Sequence, residues 1–206
     1  SYRFDGVEAK IDGEDFLDFK QSTLALGRLL ESKIYLRAAL SANEKDYRQL
    51  DERDAEATIV SVDAMQFSNN GSTQFRVNLS AEDEAAQVSL YDNKGISLNT
   101  EFQHKFKQAH FPTTFVTGVR VALKNYENFD VVTANQNSNF LSLFQPQENI
   151  SEKRQDLRIQ WLASLDVELH KHVGLLFKTA YIDNNSNYDA VSYDEWVTSL
   201  GLSVRF

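Results

Sequence analysis

Residues 158–170, RIQWLASLDVELH, decide the fold. With Leu157 in front of them, the alternate residues Ile159, Trp161, Ala163, Leu165, Val167 and Leu169 make one apolar set. Arg158, Gln160, Ser164, Asp166, Glu168 and His170 make the other, and only Leu162 breaks the alternation. A period of two places successive side chains on opposite faces, which is a β-strand and not a helix. The run far exceeds the ~5–6 residues of a usual globular strand. It suits a tilted membrane strand, which needs roughly 9–11 residues and often extends beyond the hydrocarbon.

The same alternation recurs along the chain. Residues 173–182 set Val173, Leu175, Phe177, Thr179 and Tyr181 against Gly174, Leu176, Lys178 and Ala180. Residues 113–126 set Phe115, Thr117, Val119, Val121 and Leu123 against Val116, Gly118, Arg120, Ala122 and Lys124. Residues 96–106, 73–82 and 33–42 repeat it, with Glu101, Arg76 and Arg37 on the polar side. The last residues, WVTSLGLSVRF, alternate Trp196, Thr198, Leu200, Leu202, Val204 and Phe206 with Val197, Ser199, Gly201, Ser203 and Arg205. Residues 55–67 read as a strand with blurred alternation. Ahead of Leu30 the pattern weakens to two strands, about 2–11 and 16–29, with a short amphipathic helix over part of 16–30 as the competing assignment.

Composition excludes several classes. There are 30 acidic against 21 basic side chains, which disfavours nucleic acid. Cysteine is absent, so no disulfide framework, thiol chemistry or thiolate metal site exists. No apolar run reaches the ~18–20 residues of a membrane helix, and no segment resembles a secretory leader. The negative mean hydropathy, −0.44, is compatible with a membrane barrel, whose strands show lipid only every second residue.

Connections alternate in length when read back from Phe206. Segments 183–195, 127–153, 82–95 and 43–54 are long, whereas 170–172, 107–112, 68–72 and 30–32 are short. Outer-membrane barrels alternate short periplasmic turns with long extracellular loops. The expectation is therefore an all-β fold, an antiparallel transmembrane β-barrel of about ten strands. It is one domain over 1–206, either whole or the C-terminal part of a longer protein. Aromatics mark two girdles: Phe67, Phe106, Phe111 and Phe206 at the short-turn end, and Tyr126, Tyr181 and Trp196 at the long-loop end, with Trp161 falling mid-strand.

The polar set then lines a lumen. Its charged members are Arg37, Arg76, Glu101, Arg120, Lys124, Arg158, Asp166, Glu168, Lys178 and Arg205, along with Glu82. Gly118, Gly174 and Gly201 lie among them, making room for Arg120, Lys178 and Arg205 in a narrow interior. Both signs are present, so the expectation is a salt-bridged or narrow wet lumen, in which Asp166 and Glu168 serve as partners for arginines. His170 and His172 read as turn residues because no further metal ligand is evident near them. The acidic runs at 82–86 and 51–54 read as solvated loops, with calcium as the alternative. The echo NSNF at 137–140 and NSNY at 185–188 reads as a pair of turn-forming hairpin tops. No Gly-rich phosphate loop and no G-x-S-x-G elbow occur. No enzyme activity, metal or cofactor is expected.

The final strands, residues 178–206, resemble the C-terminal ends of Gram-negative outer-membrane β-barrels. That resemblance implies that Trp196, Leu200, Leu202, Val204 and Phe206 form the signal read by the barrel-assembly machinery. The finer pattern is an R-x-D opening at Arg154 and Asp156, a loop with Tyr181, Asp183, Ser186 and Asn187, and the closing LGLSVRF. It is similar to barrels that follow periplasmic tetratricopeptide repeats, namely surface lipoprotein assembly modifiers and exopolysaccharide export porins. Those barrels carry a repeat domain and more strands than this chain. The resemblance implies a bacterial outer-membrane location, contact with the bilayer and lipopolysaccharide, and transport or export of a secreted or surface protein or a polysaccharide. The alternative expectation is a plugged structural barrel that binds a partner through its long loops, notably 127–153.

Overall fold

A computed structural model describes the chain apart from residues 12–13, 32, 49, 69–70, 108–109, 132–151, 171 and 205–206, and apart from the side chains at 10, 11, 14 and 15. The strands are β1 Tyr2–Ile11, β2 Glu14–Leu29, β3 Ile34–Tyr47, β4 Ala55–Phe67 and β5 Thr73–Ala86, then β6 Asn93–Phe106, β7 Thr113–Asp130, β8 Lys153–His170, β9 Val173–Ser186 and β10 Tyr193–Val204. All ten pair with their sequence neighbours in one antiparallel sheet, ordered β1 to β10. β1 and β10 are its two edges, and no pairing joins them among the described residues. The two N-terminal strands are strands throughout, so the helical alternative over 16–30 is discarded.

The two faces of the sheet are chemically opposite, and their exposure is inverted relative to a soluble sheet. Leu26, Leu40, Val60, Leu79, Ile96, Trp161, Leu200 and Leu202 are all exposed, Leu26 at 76% and Leu202 at 73%. Thr23, Ser41, Asn43, Asp63, Asn93, Ser97, Asp156 and Asn184, on the other face, are buried. One sheet layer can bury a single face only by curling around it, so the sheet curls toward its polar side. Above the apolar band, the same outward face ends in charged residues: Lys20, Glu44, Glu56, Asp83, Lys94 and Glu127, of which Lys20–Glu44 and Lys94–Glu127 are paired at 3.4 and 2.6 Å.

Register corrects the aromatic girdles. Trp161 lies opposite Tyr181, and Tyr181 opposite Trp196, so the three form one outward row across β8, β9 and β10. The Tyr181 and Trp196 rings are 5.0 Å apart. Trp161 is mid-strand only when counted along the chain. Because neighbouring strands are staggered, it sits level with its partners' aromatics. Tyr126 is not part of that row. It pairs with buried Asn93 on the polar face and lies under Arg154, whose guanidinium is 4.1 Å from its ring centre.

Loop lengths are also corrected. The ladder continues through Glu84↔Asn93, Lys45↔Ala55 and Asn184↔Tyr193, so residues assigned to long loops belong to strands. The connections at that end are the two residues between Ile11 and Glu14, then 48–54, 87–92, 131–152 and 187–192, and three of them are hardly longer than 68–72 and 107–112 at the other. Only 131–152 is long. Three of the tops share one construction, a single 3-10 turn at Asp51–Arg53, Ser89–Tyr91 and Asp189–Val191. In each, the residue after the turn accepts a hydrogen bond from a strand-end amide: Tyr47 N to Asp54 Oδ1 at 2.7 Å, Ala86 N to Asp92 Oδ1 at 2.7 Å, and Ser186 N to Ser192 Oγ at 3.1 Å. Removing such an acceptor orphans an amide. Asp92→Ala is expected to cost about 1 kcal/mol, measured by denaturant unfolding.

The NSNY top behaves as turn chemistry predicts: Ser186 Oγ accepts from Tyr188 N at 3.0 Å, and Asn187 ties back to β8 through Gln155 N at 2.8 Å. Its echo at 137–140 lies outside the described residues. Gly118, Gly174 and Gly201 stand on the polar face. The reason for Gly118 is not room for Arg120, since a Cβ there would come within 2.5 Å of the Thr100 carbonyl on β6. At Gly27 the close neighbour is the far end of a side chain, since the Tyr35 phenol lies across it.

Candidate functional site: the polar face

Side chains of the polar face form three clusters. The first centres on Asp63, the only large side chain with no exposure at all among the described residues. β4 delivers it inward because Val60 and Val62 face outward on either side of Ser61. Arg37 Nη1 donates to its Oδ2 at 3.1 Å. Arg76 Nε and Nη2 donate to Oδ1 at 2.9 and 2.5 Å, and Asn78 Nδ2 donates there at 3.1 Å. β3, β4 and β5 thus meet at a single carboxylate.

The second cluster lies nearer the β3–β4 and β5–β6 tops. Glu84 pairs with Lys45 and accepts from Asn93 Nδ2 at 3.1 Å. Lys124 approaches Glu82 and Glu84 more loosely, at 3.8 and 4.0 Å. Each pair reaches over an intervening strand. Lys45 and Glu84 span Ala55 and Ala57 of β4, and Lys124 and Glu82 span Gly95 of β6. Small residues on the middle strand make such crossings possible.

The third cluster is the R-x-D pair. Arg154 Nε and Nη2 donate to Asp156 Oδ1 and Oδ2 at 2.9 and 2.5 Å, a bidentate fork, and Ser186 Oγ donates to Asp156 Oδ1 at 2.6 Å. Two-pronged guanidinium–carboxylate contacts of this kind are strong and geometrically specific. Beside them, Arg120, Lys124, Arg158, Gln160, Asn184 and Tyr193 enclose a cavity of about 300 Å³.

The charged residues expected in the lumen all fall on the polar face where they are described. Arg37 and Arg76 bind Asp63, a residue the sequence reading did not single out. Asp166 has no ion pair with an arginine among the described residues. It lies eight positions from Arg158 along β8, about 27 Å by strand rise, close to the short-turn end beside Gly174. The Glu168 amide bonds the Pro112 carbonyl at 2.9 Å. Glu101 faces Gly118 across the β6–β7 pair. Lys178, Arg120 and Arg158 have no carboxylate within ion-pair distance among the described residues. Arg205 and Phe206 lie outside the described residues, and Trp196, Leu200, Leu202 and Val204 line the exposed face of β10. The His170 and His172 rings are 5.6 Å apart, and no group of three metal-ligating side chains occurs among the described residues.

The chain matches no family model, no curated protein and no solved structure.

Proposed function

We propose that the sheet closes into an outer-membrane β-barrel that serves transport or export across the outer membrane through a narrow charged lumen. The observation that carries this is the inverted exposure: a continuous outward band of leucine, valine and aromatic side chains above a buried polar face. Monomers in water rarely show contiguous apolar patches beyond a few hundred Å². A band crossing ten strands is suited to hydrocarbon. The charged row above it and the Trp161–Tyr181–Trp196 row suit the membrane–water interface. Selection among solutes would follow from the wall charges. A narrower form of this proposal is export of a surface protein or polysaccharide in partnership with a periplasmic repeat domain.

One observation favours a second reading. The Asp63 network ties three strands together across the polar face, which suits a plugged barrel acting through its loops. Planar-bilayer conductance separates the two. A channel should conduct, and its current should shift when Arg120 or Arg158 is neutralised, whereas a plugged adaptor should be silent.

The membrane placement has its own test. Leu79→Arg at an already exposed position should be nearly neutral, within about 0.5 kcal/mol, if the site faces water. Facing lipid near the midplane, it should cost about 2–4 kcal/mol in refolding from denaturant into vesicles. A neutral result would remove the membrane from the proposal.

A further inference from the structure

We infer that the cavity over β7, β8 and β9 and the start of β10 is a binding site for a small multivalent oxyanion, a solute bearing phosphate or carboxylate groups. The inference rests on the polar face being a wet lumen, and it adds what that lumen binds. Four basic side chains line the cavity, Arg120, Lys124, Arg154 and Arg158, against a single acidic one, Asp156. Asp156 is already occupied, since both of its oxygens accept from Arg154 and one also accepts from Ser186. Lys124 is held only loosely by Glu82 and Glu84, at 3.8 and 4.0 Å. Arg120 and Arg158 have no carboxylate partner among the described residues.

Their placement makes this an unbalanced arrangement and not ordinary surface charge. Arg120 faces Gln160 and Arg158 faces Ala122, so the two guanidiniums are diagonal neighbours on one face of the β7–β8 pair. Diagonal positions lie ~7–8 Å apart, close enough for long side chains to meet. Two cations so placed repel, and the nearest acids on that face, Glu101 diagonal to Arg120 and Asp156 two residues from Arg158, form no ion pair with either of them among the described residues. A dianion between them removes the repulsion and presents paired oxygens to two planar forks. Gln160 supplies an amide, and Asn184, whose Nδ2 also donates to the Val191 carbonyl at 2.8 Å, and Tyr193 complete the wall. The volume, about 300 Å³, admits a solute the size of a sugar acid or sugar phosphate.

The test uses the full chain refolded in detergent, titrated calorimetrically with pyrophosphate, citrate and, as an uncharged control, glucose. Pyrophosphate or citrate should bind and glucose should not, and whichever anion binds names the source of the oxyanion. R120Q/R158Q should weaken that binding at least tenfold, while K94Q, on the outward face, should leave it unchanged. R120Q and R158Q singly should each weaken it severalfold, so the outcome survives a misfolded double variant. Absence of binding by either anion, or binding that the arginine variants leave intact, overturns the site. Flotation with lipid vesicles keeps the two claims apart. A chain that floats but ignores both anions loses the site alone, and a chain that binds them yet stays in the aqueous fraction loses the barrel.

Discussion

Asp63→Ala is expected to lower folding stability by about 3 kcal/mol, the lower end of what breaking a buried ion pair costs. The lower end applies because Arg37 and Arg76 keep side-chain exposures of 30% and 31%, so water screens them in part, while Asp63 itself has none. Alanine removes four acceptor contacts at once and leaves two guanidiniums and the Asn78 amide converging on an empty position. Denaturant midpoints in detergent would read the loss. D63N should fall between, because an amide keeps the volume and one acceptor oxygen but not the charge. The triple change R37M/D63L/R76L separates attraction from desolvation, since well-packed apolar replacements of buried ion networks are often neutral or stabilising. If D63A alone shifts stability by less than about 0.5 kcal/mol, the network is not holding β3, β4 and β5 together.

The position of Asp63 also shows where the sequence was and was not informative. In 158–170 the apolar and polar sets separate cleanly, and the strand, its faces and its length were all readable. In β4 the outward set is Thr58, Val60, Val62 and Ala64, and the inward set includes Ile59 and Met65, so hydropathy contrast is low and the one buried acid was overlooked. Alternation fixes which face a residue takes within its own strand, but not its height against the next. That is why Trp161 finds its place only through its register with Tyr181. Tyr126 failed for a different reason. It was assigned by nearness to a strand end, although its parity with Arg120 and Lys124 already put it on the polar face. Polar residues above the apolar band read as loop from hydropathy alone. Cross-strand partners such as Asp83 and Lys94 keep the ladder going there.

The largest effect is expected from cysteines placed to join the two edges. The sheet's own register specifies where. Starting at Tyr2, successive partners are Leu24, Leu40, Val60, Ala81, Ile96, Leu123, Leu157 and Asn185. Asn184 pairs with Tyr193, so this straight path reaches β10 just above its first residue. Closing the sheet therefore requires a descent along β10. A stagger of about 12 residues over ten strands, at ~3.4 Å rise and ~4.8 Å spacing, tilts the strands by ~40°. That lies inside the roughly 35–45° of closed barrels. It sets Tyr2 against Val204, Phe4 against Leu202 and Gly6 against Leu200, outward residue facing outward residue, and covers Val7 and Val197, which are exposed on the polar face at 57% and 50%. Staggers two residues shorter or longer preserve this parity and slide Phe4 to Leu200 or Val204. The chain has no cysteine of its own, so the background is clean. F4C/L202C should form an intramolecular disulfide in the folded chain, whereas F4C/S203C, on opposite faces, should not. A bridge closing almost the whole chain should stabilise by about 5 kcal/mol on the chain-entropy account. If none of the partners at 200, 202 and 204 crosslinks to position 4, or if only intermolecular dimers form, β1 and β10 are not neighbours and the ten strands do not close on themselves.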